Sequence, residues 1–428
     1  MRMASFLQRE KRYLNRLSKE ERRLLLSFTL YGFAAPMTAV FSNTFLWRET
    51  GDPVILTLYN LAFFVGLPAG FLLNAYLLRH VKTARLYALG CFLQGLVPIG
   101  LVFLNPSGAV AVFGLGLFLG ISGGFFWANR NLLTSKATEG EHRYSFISLE
   151  TVFGTVADLI APITIGWFLV LGDWFRWYSV GTAYRICAVA GFFILVLAAR
   201  AAWRTGVETI TTAHIFLAQP SALWRRWRWV EMIHGSIGGL ESVVPLVLIL
   251  SLVGSEETVG TINFIVALLT IAIMYTIGKF VRHRDHLLIL TLWIVCALLG
   301  TGAVAVLWNA VGVIIYYFVN GFADSFRWGS FATVMYELVD REVQRTGKHR
   351  FVFLLDREFF LNIGRVLTLL VFLFCYHKAP EITLRFSLLT FVLLQLPLRA
   401  LVKPILHSLS HQTIPLPVRL KETFVEPA

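Results

Sequence analysis

The chain has 428 residues, 57% of them hydrophobic and 15% charged, with a formal net charge of +13 and a mean hydropathy of +0.68. Soluble domains carry about 25% charged residues, which excludes a single water-soluble core. The basic excess does not read as a nucleic-acid surface either, because Lys and Arg sit in the gaps between apolar runs.

Residues 1–23 are polar and basic, and the apolar run after them is too long for a cleavable signal. They read as a cytoplasmic surface helix or tail, with Ser18-x-x-Glu21 as a capping box opening the first span. About 20 apolar residues cross a bilayer. Twelve segments qualify: 24–46, 53–78, 83–104, 107–132, 145–171, 178–202, 229–253, 257–280, 284–308, 309–339, 351–376 and 380–404. Between 284 and 339 the break is Trp308-Asn309-Ala310-Val311-Gly312, which requires a tight turn. With the N-terminus inside, the outer loops hold just Arg48, Arg176 and Lys378 of the 38 Lys and Arg. That asymmetry predicts an even number of spans with both termini cytoplasmic. The expected class is an all-α membrane protein of twelve transmembrane helices in two pseudo-symmetric six-helix halves. Residues 24–202 and 229–404 form the halves, 203–228 a cytoplasmic linker and 405–428 a cytoplasmic tail. In the linker, Trp224-Arg225-Arg226-Trp227-Arg228-Trp229 reads either as a segment lying on the anionic leaflet or as an ordinary stop-transfer flank.

The halves echo each other. Gly124-Phe125 precedes Arg130 as Gly321-Phe322 precedes Arg327, and His142-Arg143-Tyr144-Ser145-Phe146 is matched by His349-Arg350-Phe351-Val352-Phe353. Asn60 lies before Arg79-His80 as Asn263 lies before Arg282-His283, and Pro36 and Pro245 place a helix breaker in both first helices. One structural unit built twice is the reading these matches support.

Six plus six spans, a middle linker and parallel repeats resemble the major facilitator superfamily over essentially the whole chain. That family has Gly-x-x-x-Asp-Arg-x-Gly-Arg-Lys after its second span. Here the glycine is Gly70 and the basic tail is Arg79-His80-Val81-Lys82, but Asn74 holds the Asp position and the glycine turn is missing. The resemblance is therefore to a divergent member. Gly154, Ala161-Pro162 and Gly166 in span five resemble the Gly-rich, Pro-containing stretch of the family's exporters.

Ionisable groups inside a span are costly and mark pathways, proton relays or ion pairs. Asp158, Glu241, Asp324, Arg327 and Arg365 are such groups, with Arg130 at the matched position of span four. Asp324 and Arg327, three apart, share a helix face and can pair. The resemblance implies that the first and fourth helices of each half line a central cavity. Arg130, Arg327, Asp324 and Glu241 then face the substrate path, with Asn43, Asn129 and Trp127 beside them. It places Asp158 and Arg365 at the contact between halves, and Asn74 at the family's cytoplasmic gate. Glu241, then Asp158, are the candidate proton carriers. The arginines present forked donors suited to carboxylate or phosphate. Glu150 and Asp356-Arg357-Glu358 read as a gate or as solvated helix starts, and His234 with Glu231 as a structural pair.

The expected function is a secondary active transporter of a small organic solute, anionic or amphipathic. It is expected to be proton-coupled, an exporter (hence an antiporter) more than an importer, monomeric, and in the plasma or bacterial inner membrane. A lipid or lysolipid translocator of the same fold is the alternative, and a membrane-embedded enzyme a more remote one. The cysteines Cys91, Cys187, Cys296 and Cys375 stand singly in apolar segments, without metal-ligand spacing. No Walker motif is present. Neither cofactor, metal nor nucleic acid is expected.

Overall fold

The computed structural model describes residues 17–104, 108–137, 143–203, 205, 216–254, 261–262, 264–266, 268 and 285–410. Among them every regular element is a helix, as a bilayer requires when the backbone must satisfy its own polar groups. Among the described residues nine helices are long and apolar enough to cross a membrane, and shorter apolar helices at Leu159–Gly172 and Ala310–Gly321 fall in predicted spans five and ten. Most of predicted span eight, with Asn263 and Arg282-His283, lies outside the described residues, as do residues 1–16.

Local chemistry sets the helix ends. Ser18 and Glu21 complete the capping box: Ser18 N–H donates to Glu21 Oε2 at 2.6 Å and Glu21 N–H to Ser18 Oγ at 3.1 Å. Asp52 caps span two, Pro53–Leu77, ahead of a proline that suits the first helical position. The tight turn after span nine, His286–Leu307, exists. Trp308 takes a left-handed conformation at φ 45°, and Asn309 Oδ1 accepts from Gly312 N–H at 3.1 Å to start span ten, Ala310–Thr346.

Span one is two helices, Lys19–Thr38 and Val40–Thr50, broken just after Pro36. Span seven is likewise Ala222–Glu241 and Val244–Leu252, broken just before Pro245. Proline removes a hydrogen bond and crowds the preceding turn, which accounts for the break before Pro245, whereas Pro36 stays inside its helix and the break in span one follows it at Ala39. Span seven starts earlier than the sequence suggests. Ser221 Oγ caps it by accepting from Trp224 N–H at 3.0 Å. Trp224 and Trp227 are fully buried, so 224–229 is the first two turns of a span, not a separate surface segment.

Glycine contacts set two helix spacings. Gly66 and Gly70 of span two meet Gly120 and Gly124 of span four, Ala109–Ala137, while Gly116 meets Tyr59, closely enough that a Cβ at Gly120 would overlap the carbonyl oxygen of Phe63. In the other half Gly235 and Gly239 of span seven meet span eleven, Arg350–Lys378, and a Cβ at Gly364 would overlap Met232 O. Small residues at every fourth position let backbones in a membrane approach this closely.

Candidate functional site

Between the two halves lies a cavity of about 780 Å³. Spans one to five contribute to it from one half and spans seven, eight and ten from the other. The breaks after Pro36 and before Pro245 open onto it: Thr38, Ala39 and Val40 line one wall, and Glu241, Ser242 and Pro245 another. Its lining is aromatic and polar, including Tyr31, Asn43, Asn60, Gln94, Trp127, Arg130, Tyr316, Tyr317 and Asn320. Tyr31 Oη and Gln94 Oε1 are bonded at 3.0 Å, and Asn60 Nδ2 donates to Asn43 Oδ1 at 3.0 Å.

The repeated arginines each hold a glutamate from another helix. Arg130 Nη2 donates to Glu150 Oε1 of span five at 2.9 Å, and its guanidinium lies 5.2 Å from the ring centroids of both Phe28 and Trp127. Arg327 Nη1 donates to Glu241 Oε2 at 3.1 Å, joining spans ten and seven, and lies 5.4 Å from the Trp293 ring. The spacing of Asp324 and Arg327 predicts a local pair, whereas the described carboxylate partner of Arg327 comes from another span. The side chains of Asp158 and Asp324 lie outside the described residues.

Other expected site residues sit elsewhere. Asn129 is fully buried and points away from the cavity. Its Nδ2 donates to Asn74 Oδ1 at 2.6 Å and to Phe125 O at 2.7 Å. One residue along a helix turns a side chain by about 100°, so Arg130 faces the cavity while Asn129 faces span two. Asn74 is thereby bound to span four of its own half rather than to the opposite half. Asp356, expected at a gate, accepts from Arg228 at 2.8 and 2.5 Å and from Trp224 Nε1 at 2.7 Å, all within one half. Glu150 is also paired inside its own half. Arg365 does lie against the opposite half, with its guanidinium 4.8 Å from the Phe64 ring of span two.

The sequence reading missed a buried polar chain running from span seven to Arg365. Arg357 Nε donates to Glu231 Oε1 at 2.8 Å and Arg357 Nη1 to Glu358 Oε1 at 2.7 Å. Asn362 Nδ2 donates to Glu358 Oε2 at 3.3 Å, and Arg365 Nη1 to Asn362 Oδ1 at 3.2 Å. Glu231 is 1% exposed, and His234 stacks on Phe331 with centroids 4.6 Å apart. The available signal was spacing: residues 358, 362 and 365 follow each other at helical intervals on span eleven.

No family model matches the chain. It is 22% identical over 361 residues, 80% of each chain, to the uncharacterized protein YqgE of Bacillus subtilis (strain 168). It is 30% identical over 151 residues, 35% of this chain and 71% of its relative, to an uncharacterized protein in the sodM 3′ region of Geobacillus stearothermophilus. The chain belongs to the family of the Geobacillus protein. Among solved structures it resembles a POT family transporter in complex with a thioalcohol-conjugated peptide, with TM-score 0.68 and 10% identity over 92% of this chain and 99% of that one. It also resembles the D323A mutant of the nucleoside transporter NupG, with TM-score 0.64 and 14% identity over 91% and 100%. A third likeness is to the peptide transporter POT in complex with sulfate, with TM-score 0.65 and 13% identity over 94% and 99%. This chain therefore shares the two-halved, twelve-span fold of these transporters and is a multi-pass integral membrane protein.

Proposed function

We propose that the protein is a secondary active transporter that moves a small polar or anionic organic solute by alternating access. The observation that carries this reading is the cavity between the halves, lined from both sides and flanked by the matched arginines Arg130 and Arg327. A site shared by two repeats can open to either side as the halves rock. The volume suits a drug-sized solute, and the mixed aromatic and amide lining offers stacking and hydrogen bonds. The resembling structures are of nucleoside and peptide transporters, which supports a small organic substrate.

Proton coupling is assigned to Glu241. It lines the cavity at the break in span seven and holds Arg327. A proton on Glu241 releases that guanidinium to a substrate anion, and loss of the proton restores the pair, so one residue links the two occupancies. Because proton and anion are then bound together, this cycle moves both in the same direction, rather than in the exchange that the exporter-like glycines and proline of span five suggest. The basic loops support a topology with both termini on the cytoplasmic side of the plasma or bacterial inner membrane. A lipid translocator would need a lateral opening between spans five and eight or between spans two and eleven, and against the second, Phe351 and Leu355 share one buried cluster with Phe71 and Leu78.

Proteoliposomes assayed with peptides, nucleosides and organic anions, with and without a pH gradient, test the reading. Gradient-driven uptake of at least one solute is expected. Glu241→Gln should abolish the gradient dependence while leaving solute exchange, and Arg327→Gln should weaken binding of anionic solutes by tenfold or more, about 1.4 kcal/mol. Gradient-driven flux unchanged in Glu241→Gln would remove the proton role, and a protein that moves none of these solutes would remove the transporter role.

A further inference from the structure

A second concavity lies on the outside of the bundle, away from the central cavity. It is about 370 Å³ and is formed by Arg23, Leu26 and Leu30 of span one and Leu197, Arg200 and Ala201 of span six, Val180–Trp203. The two helices run antiparallel, so Arg23 and Arg200 meet at the end bearing the basic loops, while the leucines lie one to two turns deeper. Beneath the groove the helices are tied together, with Ser27 Oγ donating to Ala198 O at 2.6 Å. The gap above that bond is thus a fixed feature of the packing.

Its chemistry is divided along its length. Leu26 and Leu197 are 53% and 54% exposed, and face outward where lipid chains would lie. Arg23 and Arg200 are exposed above them, and neither pairs with a carboxylate among the described residues. Glu21, on the preceding turn, is committed to the Ser18 cap. Arg85 lies 5.7 Å from the ring of Trp203, an exposed tryptophan one turn beyond Arg200 on span six. The positive end of the groove therefore sits where a phospholipid phosphate lies, and its apolar part where an acyl chain lies. Basic pockets between transmembrane helices on the cytoplasmic side hold anionic head groups, and the loop charges assign this end to that side.

We propose that the groove between spans one and six is a binding site for an anionic phospholipid, with the phosphate held by Arg23 and Arg200 and an acyl chain laid along Leu26, Leu30 and Leu197. The site is independent of the substrate cavity. Span one carries the break that opens onto that cavity, so a lipid wedged against its other face stiffens the segment below the break.

The test is lipid titration of the purified full-length protein in a neutral detergent, reading bound lipid by native mass spectrometry and protection against thermal unfolding. Two basic side chains near an anionic head group are worth about 30-fold in binding. Phosphatidylglycerol is therefore expected to bind about 30-fold tighter than phosphatidylcholine, and millimolar inorganic phosphate to give no protection. R23Q/R200Q should bring the preference close to one, while R225Q/R226Q, exposed basic residues of span seven, should retain it. L197W fills the apolar part with both arginines in place. It should lose phosphatidylglycerol as well, which keeps the proposal testable if the double variant does not fold. Equal binding of the two lipids to the natural protein would overturn the site. So would an undiminished preference in R23Q/R200Q or L197W, or protection by phosphate alone.

Discussion

In the N-terminal half the fourth-helix arginine, Arg130, takes its carboxylate from Glu150 of span five and stays 30% exposed between two aromatic rings. In the C-terminal half its counterpart, Arg327, takes Glu241 from the break in span seven and is 15% exposed. The same contrast extends behind each arginine. Beside Arg130 the polar residues are the neutral Asn129 and Asn74, set in a glycine-packed seam between spans two and four. About two to three turns from Glu241 along span seven lie His234 and Glu231, the latter held by Arg357 and through it linked to Glu358, Asn362 and Arg365. A repeated unit has thus kept its arginine but changed what surrounds it. One half is built as a close-packed neutral frame, the other as a buried charge network. Within the proposed cycle, Arg130 beside the frame stays an accessible cation, while Glu241, in the half that carries the network, exchanges protons against its pairing with Arg327.

The comparison is broken hardest at the glycine seam. Gly120→Leu drives a side chain into the backbone of span two at Phe63, Gly66 and Leu67, none of which can move aside as a flexible side chain could. The expected result is loss of about 4–5 kcal/mol or more, at the extreme end for a single substitution, seen as absent folded protein after detergent extraction. Gly114→Leu on the same helix has open space and should leave the melt unchanged. If both variants fold equally well, the seam is not what fixes spans two and four.

The charge network comes next. Arg357→Met leaves Glu231 and Glu358 buried without their shared cation. Removing one partner of a buried pair costs about 3–5 kcal/mol, to be read as a lowered melting midpoint. Arg357→Met/Glu231→Gln removes the stranded charge as well and should recover part of the loss. A double variant no better than the single one would show that Glu231 is not held in place by Arg357. The framework-and-network contrast would then fail on the C-terminal side.

How far the sequence reveals this arrangement depends on the range of the interaction. The spans are legible because each needs its own run of apolar residues, and the turn at Trp308-Asn309 because only a left-handed residue and a side-chain cap fit so short a connection. The repeated Gly-Phe-x-x-x-x-Arg points to Arg130, which lines the cavity, and to Arg327, which does not line it but bonds to Glu241, which does. Partners set by helix packing are not legible. Asp324 is three residues from Arg327 in sequence, yet Glu241, 86 residues away, provides the described carboxylate. Glu150 and Asp356 look like gate residues when seen alone at helix ends. Their cations, Arg130 and Arg228, become visible once the neighbouring helices are placed.

The smallest expected effect separates a neutral frame from a binding wall. Asn129 lies beside Arg130 in sequence but is bonded to Asn74 across spans four and two, at 2.6 Å. Side-chain hydrogen bonds between membrane helices contribute about 0.6 to 1.7 kcal/mol, and a partner left unsatisfied adds its own desolvation cost. Asn129→Leu strands Asn74 and should lower stability by about 1–2 kcal/mol, whereas Asn74→Leu/Asn129→Leu removes both polar groups and should lie between the single variant and the natural protein. In neither variant should solute binding in proteoliposomes change, since Asn129 does not reach the cavity. A loss of binding with an unaltered melt would move Asn129 from the frame to the substrate site. The division between a neutral N-terminal half and a charged C-terminal half would then no longer match the division between scaffold and function.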